Sequence, residues 1–162
     1  MEADLSAWSD FFVASAGATA ALAGLVFVAV SINIDSIVDQ PGVPEFALVT
    51  VLLLLQAVVV SLLGLVPDQD TGSLGIQLLV EFVIWAAVAG AMIRRSLAHM
   101  KSRVSLVSRL LLPALGSLPF LVAAVILLGD REQGMDWVAG GIIASTVAAV
   151  VNGWVLMVEI RR

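Results

Sequence analysis

Cysteine is absent from this 162-residue chain, which excludes disulfides, thiol nucleophiles and thiolate metal sites. Histidine occurs once, at His99, and there is no HExxH, no G-x-S-x-G and no phosphate loop with its lysine. Neither a metal-dependent nor a serine-type enzyme is therefore expected, and no cofactor or metal is implied. Charge is scarce as well: 13% of residues carry it, and the balance is −5. The few bases lie beside apolar runs, so nucleic-acid binding has no support. A basic region before the first apolar run is also missing. The chain begins with Glu2 and Asp4, and the run behind them is longer than the core of a cleaved signal peptide, so it is expected to stay in place.

What is present is hydrophobicity: 60% of residues are apolar and mean hydropathy is +1.07, far outside the range of a soluble globular domain. Crossing a bilayer takes about 20 helical residues. Five runs reach that length, at 11–34, 46–66, 74–93, 106–128 and 137–158. Breakers separate them, as in Gln40-Pro-Gly-Val-Pro44 and Pro67-Asp-Gln-Asp-Thr-Gly72. The second of these echoes the start of a calcium loop but lacks its bidentate glutamate, so it reads as a turn. The expected architecture is all-α, a single bundle of five transmembrane helices. An odd count with dissimilar halves argues against an inverted-repeat transporter.

Basic residues set the orientation. Arg94, Arg95, Lys101, Arg103 and Arg109 surround the joint between the third and fourth runs, and Arg161 and Arg162 end the chain. Five spans put all of these on one side, expected to be the cytoplasm, with the N-terminus outside. The outer side then has a net charge of −7 and the inner side +3, with Glu81 left inside the membrane.

The first run carries a seam of small side chains. Asp10, Ala14, Gly17, Ala21, Gly24, Val28, Ser31 and Asp35 share one face, while Phe11, Leu22, Leu25 and Ile32 lie opposite. Helices in lipid gain nothing hydrophobic by meeting, so small residues serve to bring backbones close. The seam is expected to face protein or a narrow pore, with Asp10 and Asp35 as carboxylate rings at its two mouths. A second stripe in the last run, Gly141, Ser145, Ala148, Asn152, Val155 and Glu159, is expected to pack on it or on a neighbouring copy. Pro113 and Pro119 predict a kink near Gly116, whose freed carbonyls Ser117 is placed to serve.

Glu81 is the acid placed well inside a run. A charged carboxylate there costs about 2.5–3.5 kcal/mol on insertion scales, so it needs to be neutral, paired or facing water. Counting about 1.5 Å per residue from the outer helix ends puts Glu81 roughly 10 Å deep, Thr19 and Ser145 about 12 Å, and Gln56 and Ser117 about 15–17 Å. These residues, with Asn152, predict a polar layer. It serves either cation handling at Glu81 or helix-to-helix hydrogen bonding.

The segment Trp8-Ser-Asp-Phe-Phe-Val through Gly17-Ala-Thr-Ala-Ala-Leu-Ala-Gly24 to Ser31-Ile-Asn33 resembles the opening helix of small bacterial integral membrane proteins with no settled function. The resemblance implies a bacterial plasma (inner) membrane setting and brings no site residues with it. The function expected is a homo-oligomeric cation channel with the first helix near the axis, its partners being copies of itself, lipid and monovalent or divalent cations. The alternatives are a scaffold or regulator of a larger membrane partner, and a small proton-coupled transporter using Glu81.

Overall fold

A computed structural model describes residues 5–39, 43–97, 103–129 and 131–160. All of its elements are helical. A 3-10 turn, Leu5–Trp8, leads into α1 (Ser9–Ile32), followed by the short α2 (Ile34–Val38), α3 (Val43–Leu63), α4 (Thr71–Leu97), α5 (Arg103–Leu128) and α6 (Gly134–Ile160). Among the described residues, four helices are long and apolar enough to cross a membrane: α1, α3, α4 and α6. In α5 the described apolar stretch, Ala114–Leu128, is shorter. His99, Lys101, Asp130, Arg161, Arg162 and the first four residues lie outside the described residues.

Helix ends follow from local hydrogen bonding. The first run was expected to continue to Ile34, but α1 stops at Ile32. There Asn33 turns its side chain back, Nδ2 donating to the Ala29 carbonyl at 2.8 Å, an alternative to continuing the helix. Between α3 and α4 the turn is capped from both sides. Gln69 Nε2 donates to the Leu63 carbonyl at 2.5 Å, and the Ser73 amide donates to Asp70 Oδ1 at 2.8 Å. That N-cap starts α4 at Thr71, three residues before the expected Leu74. Asp68 within the turn has φ 52°, the left-handed conformation that Asp tolerates better than most residues. The expected turn is present here.

The five long helices alternate in direction. α1 packs on α3, α3 on α6, α6 on α5 and α5 on α4, while α3 and α4 touch only sparsely. Three apolar clusters lie end to end along the bundle. One joins Phe12 of α1, Val60 of α3, Leu74 and Leu78 of α4, Phe120 and Leu127 of α5, and Met135 of α6. The middle cluster holds Leu53, Leu54, Ala148 and Ala149, with Leu22, Val26 and Trp85 against it. The far one holds Ile37, Val43, Ala47 and Leu156. The N-terminal turn, the α3–α4 turn and the α5–α6 turn therefore share one end of the bundle.

Outside this core the surface is largely apolar. Leu25 is 68% exposed and Ile32 77%, and large aliphatic side chains stand outward on α3, α4, α5 and α6 as well. Polar side chains go the other way: Thr19, Thr50, Gln56, Ser61, Ser117, Ser145 and Asn152 are all buried. This inversion of the soluble pattern is what an apolar solvent demands.

The seam expected to face protein or a narrow pore is left uncovered by the other helices of the single chain. α1 turns Phe12 and Thr19 inward, while Asp10, Ala14, Gly17, Ala21, Gly24, Val28, Ser31 and Asp35 are all exposed. Only 6% of the most apolar stretch of α1 is buried. A Cβ added at Gly17 or Gly24 would meet nothing within 4 Å. Close backbone approach happens elsewhere. A Cβ on Gly64 would lie 2.5 Å from the Phe12 ring, one on Gly141 2.6 Å from the Phe120 ring, and one on Gly116 2.8 Å from Leu53. The α6 stripe is buried at Gly141, Ser145, Ala148 and Asn152 but exposed at Val155, and it faces α3 and α5 rather than α1.

Two outcomes test this packing. Gly141→Ala should destabilise the bundle by about 1–3 kcal/mol, the usual cost of overpacking, whereas Gly17→Ala should cost nothing in a solubilised single subunit; denaturant titration in micelles compares them. The hydrogen bonds from Ser73, side chain first and backbone second, hold the Asp70 carboxyl below its ordinary 3.8. A depressed folded value makes its contribution full above that range and lost as pH falls through it. Asp70→Ala should therefore lower the melting temperature at neutral pH and narrow its gap to the parent protein in acid.

Candidate functional site

Glu81 lies on α4 facing α3, ten residues in from the start of its helix. Gln56 of α3 is 3% exposed, and its Nε2 donates to Glu81 Oε2 at 3.3 Å. The Gln56 carbonyl oxygen in turn accepts from Ser117 Oγ of α5 at 2.9 Å. Ser117 is 1% exposed. One amide thus joins three helices, and both bonds point along the same line, hydroxyl to amide to carboxyl. On the next helix Ser145 Oγ donates to the Gly116 carbonyl at 2.7 Å. Ser117, expected to serve the carbonyls near the prolines, donates to Gln56, and the Gly116 carbonyl accepts from Ser145 of α6.

This group separates two of the apolar clusters. On α3, Gln56 falls between Leu53 and Leu54 of the middle cluster and Ala57 and Val60 of the first; on α6, Ser145 falls between Ile142 and Ala148. The single layer expected from depth is in fact two. Asn152 Nδ2 donates to Thr50 Oγ1 at 2.6 Å, seven residues along α6 from Ser145, between the middle and far clusters. Thr50 went unnoticed in the sequence because one threonine on an apolar helix is unremarkable until a partner is known. Thr19 is buried, yet its hydroxyl donates to the Ser15 carbonyl of its own helix at 2.6 Å and, among the described residues, joins no other helix.

Asp10, in the first turn of α1, and Asp35, on α2 beyond its other end, are exposed, and neither takes part in the Glu81 group. Asp10, Asp35 and Glu81, the carboxylates expected to act on cations, are therefore not brought together within the single chain. Among the described residues no three His, Asp or Glu side chains come together as a metal site. Comparison with protein-family models, curated proteins and solved structures returned no match, so the chemistry rests on this geometry.

That geometry offers a carboxyl oxygen free of other bonds within the described residues, on a partly buried side chain oriented from one side by a neutral amide. It can hold a cation or take and release a proton. It provides no nucleophile–base pair.

Interhelical hydrogen bonds of this kind average about 0.6 kcal/mol. Ser117→Ala should cost roughly that much in unfolding experiments in mixed micelles, and Gln56→Leu about twice as much, since it breaks both bonds. In the double variant the two losses should fall short of additivity, because Ser117→Ala has nothing left to break toward α3.

Proposed function

We propose that this chain is a multi-pass protein of the bacterial plasma (inner) membrane that moves a small cation, with Glu81 as the group that meets it. The reading takes α1, α3, α4, α5 and α6 as five spans, with the N-terminus outside and the basic α4–α5 joint and C-terminus in the cytoplasm. One observation carries it: a mid-helix carboxyl held by Gln56, itself held by Ser117, across three helices. Insertion of an acid costs several times what one hydrogen bond returns, about 2.5–3.5 against about 0.6 kcal/mol, so helix-to-helix bonding is a poor reason to keep it. The exposed acids Asp10, Asp68, Asp70, Glu132 and Asp136 gather at the end where α4 begins, a field that draws cations toward it.

A second reading is favoured by the open α1 face. Copies meeting there would form a homo-oligomeric channel with α1 near the axis and Asp10 and Asp35 at its mouths, since the small side chains allow close approach. The same face would also fit a larger membrane partner, the scaffold alternative.

Reconstituted protein should carry cation flux that Glu81→Gln abolishes and that Asp10→Asn and Asp35→Asn leave intact. Flux lost in the aspartate variants, from an assembly of several subunits in detergent, would instead establish the axial channel. Absence of flux from a protein that co-purifies with one partner would point to the scaffold. Saturable proton uptake that requires a second solute would identify coupled transport.

A further inference from the structure

Three buried side-chain atoms among the described residues lack a hydrogen-bond partner: Gln69 Oε1, Gln77 Oε1 and Trp85 Nε1. All three belong to one segment, the turn before α4 and α4 itself. Gln77, Glu81 and Trp85 follow at intervals of four, so they form one stripe along the helix with the carboxyl in the middle. A buried polar atom without a partner is costly, and such atoms are rare enough that each needs a reason. Here two of the orphans, Gln77 and Trp85, bracket the partly buried Glu81.

Their chemistry is specific. Gln77 Oε1 can only accept, and Trp85 Nε1 can only donate. Glu81 Oε2 is engaged by Gln56, which leaves its other oxygen as a second acceptor. Successive stripe residues are about 6 Å apart along the axis, the span of two hydrogen bonds in series through one small guest. Between Gln77 and Glu81 that guest meets two oxygens, one of them a carboxyl oxygen, which suits a cation. Between Glu81 and Trp85 it must accept from the indole and donate to the carboxyl, which suits water. Backbone closes the α3 side of α4 only loosely, because α3 and α4 meet sparsely.

We propose that Gln77, Glu81 and Trp85 line a hydrated cleft beside α4 that holds one small monovalent cation together with its water, entered from the α3–α4 turn at Gln69. The proposal rests on Glu81 as the cation-handling group and adds its ligand class, its other contacts and its side of entry. Gln77 replaces part of the cation's hydration shell, as backbone carbonyls do in selectivity filters. Trp85 holds the remaining water and presents its ring beside the charge.

The test uses the full chain in lipid nanodiscs, with Trp8, Trp137 and Trp154 changed to Phe so that Trp85 alone fluoresces. Thallium(I), a monovalent contact quencher, is the probe, titrated as the nitrate against sodium nitrate. The cleft predicts saturable quenching, relief by sodium, affinity at least about tenfold weaker in Gln77→Leu, and loss of saturation in Glu81→Gln. Quenching that is absent, or that rises linearly and equally in Gln77→Leu, overturns it. If Glu81→Gln does not fold, Gln77→Leu decides alone, because Gln77 has no hydrogen bond within the described residues to lose. Glu81-dependent flux with an unquenched Trp85 removes the cleft and leaves the function standing. Saturable quenching without Glu81-dependent flux supports the cleft and removes the function.

Discussion

A partly buried carboxyl on an apolar helix needs polar partners, and the groups packed near Glu81 answer that need. The Gln56 amide meets it from α3, and Ser117 fills the other end of that amide from α5. Gln56 has both a donor and an acceptor to place, so it serves as the joint between an acceptor on one helix and a hydroxyl on another. Once α3, α4 and α5 are tied at this level, the register of their apolar clusters above and below is set too. A slip of one helix would strand a polar group in the low-dielectric interior, where an unpaired group costs most.

The alternation of apolar clusters and polar layers extends this logic along the bundle. Large aliphatic and aromatic side chains fill the clusters, and the layers carry Gln56 with Glu81, Ser117 and Ser145, then Thr50 with Asn152. Dispersion and close packing hold the clusters, and hydrogen bonds fix their register. The small residues that matter for packing sit where helices cross most closely. Gly116 lies against Ser145 and Leu53, Gly141 against Phe120, and Gly64 receives the Phe12 ring.

The placement of α1 follows from shape rather than polarity. It is apolar all round, so no face is favoured by solvent preference. Phe12 decides: its ring lodges at the end of α3 in the notch left by Gly64, and edge contacts from Phe11 and Trp8 continue that wall. With Phe12 inside, helical geometry turns Thr19, Leu22 and Val26 inward and the glycine seam outward. The small side chains of α1 thus stand on its uncovered face.

Much of the fold was legible in composition and spacing. The long runs appear as helices, four of them long and apolar enough among the described residues to cross a membrane, because length and apolarity act through the backbone alone and need no partner. Gln56, Glu81, Ser117 and Ser145 were legible as a layer for a similar reason: their depth follows from a rise of about 1.5 Å per residue along helices of known start. What the chain in one dimension could not settle was azimuth, the direction in which each helix faces. On α1 every face is apolar, so the small seam and the Phe12 face were equally acceptable until Gly64, just past the end of α3, met one of them. Partners were equally undetermined, which is why Asn152 belongs with Thr50, why Ser145 rather than Ser117 reaches the Gly116 carbonyl, and why Glu81 is separate from Asp10 and Asp35. A hydrogen bond or a ring in a notch depends on two surfaces at once, and only the folded bundle brings the second one into place.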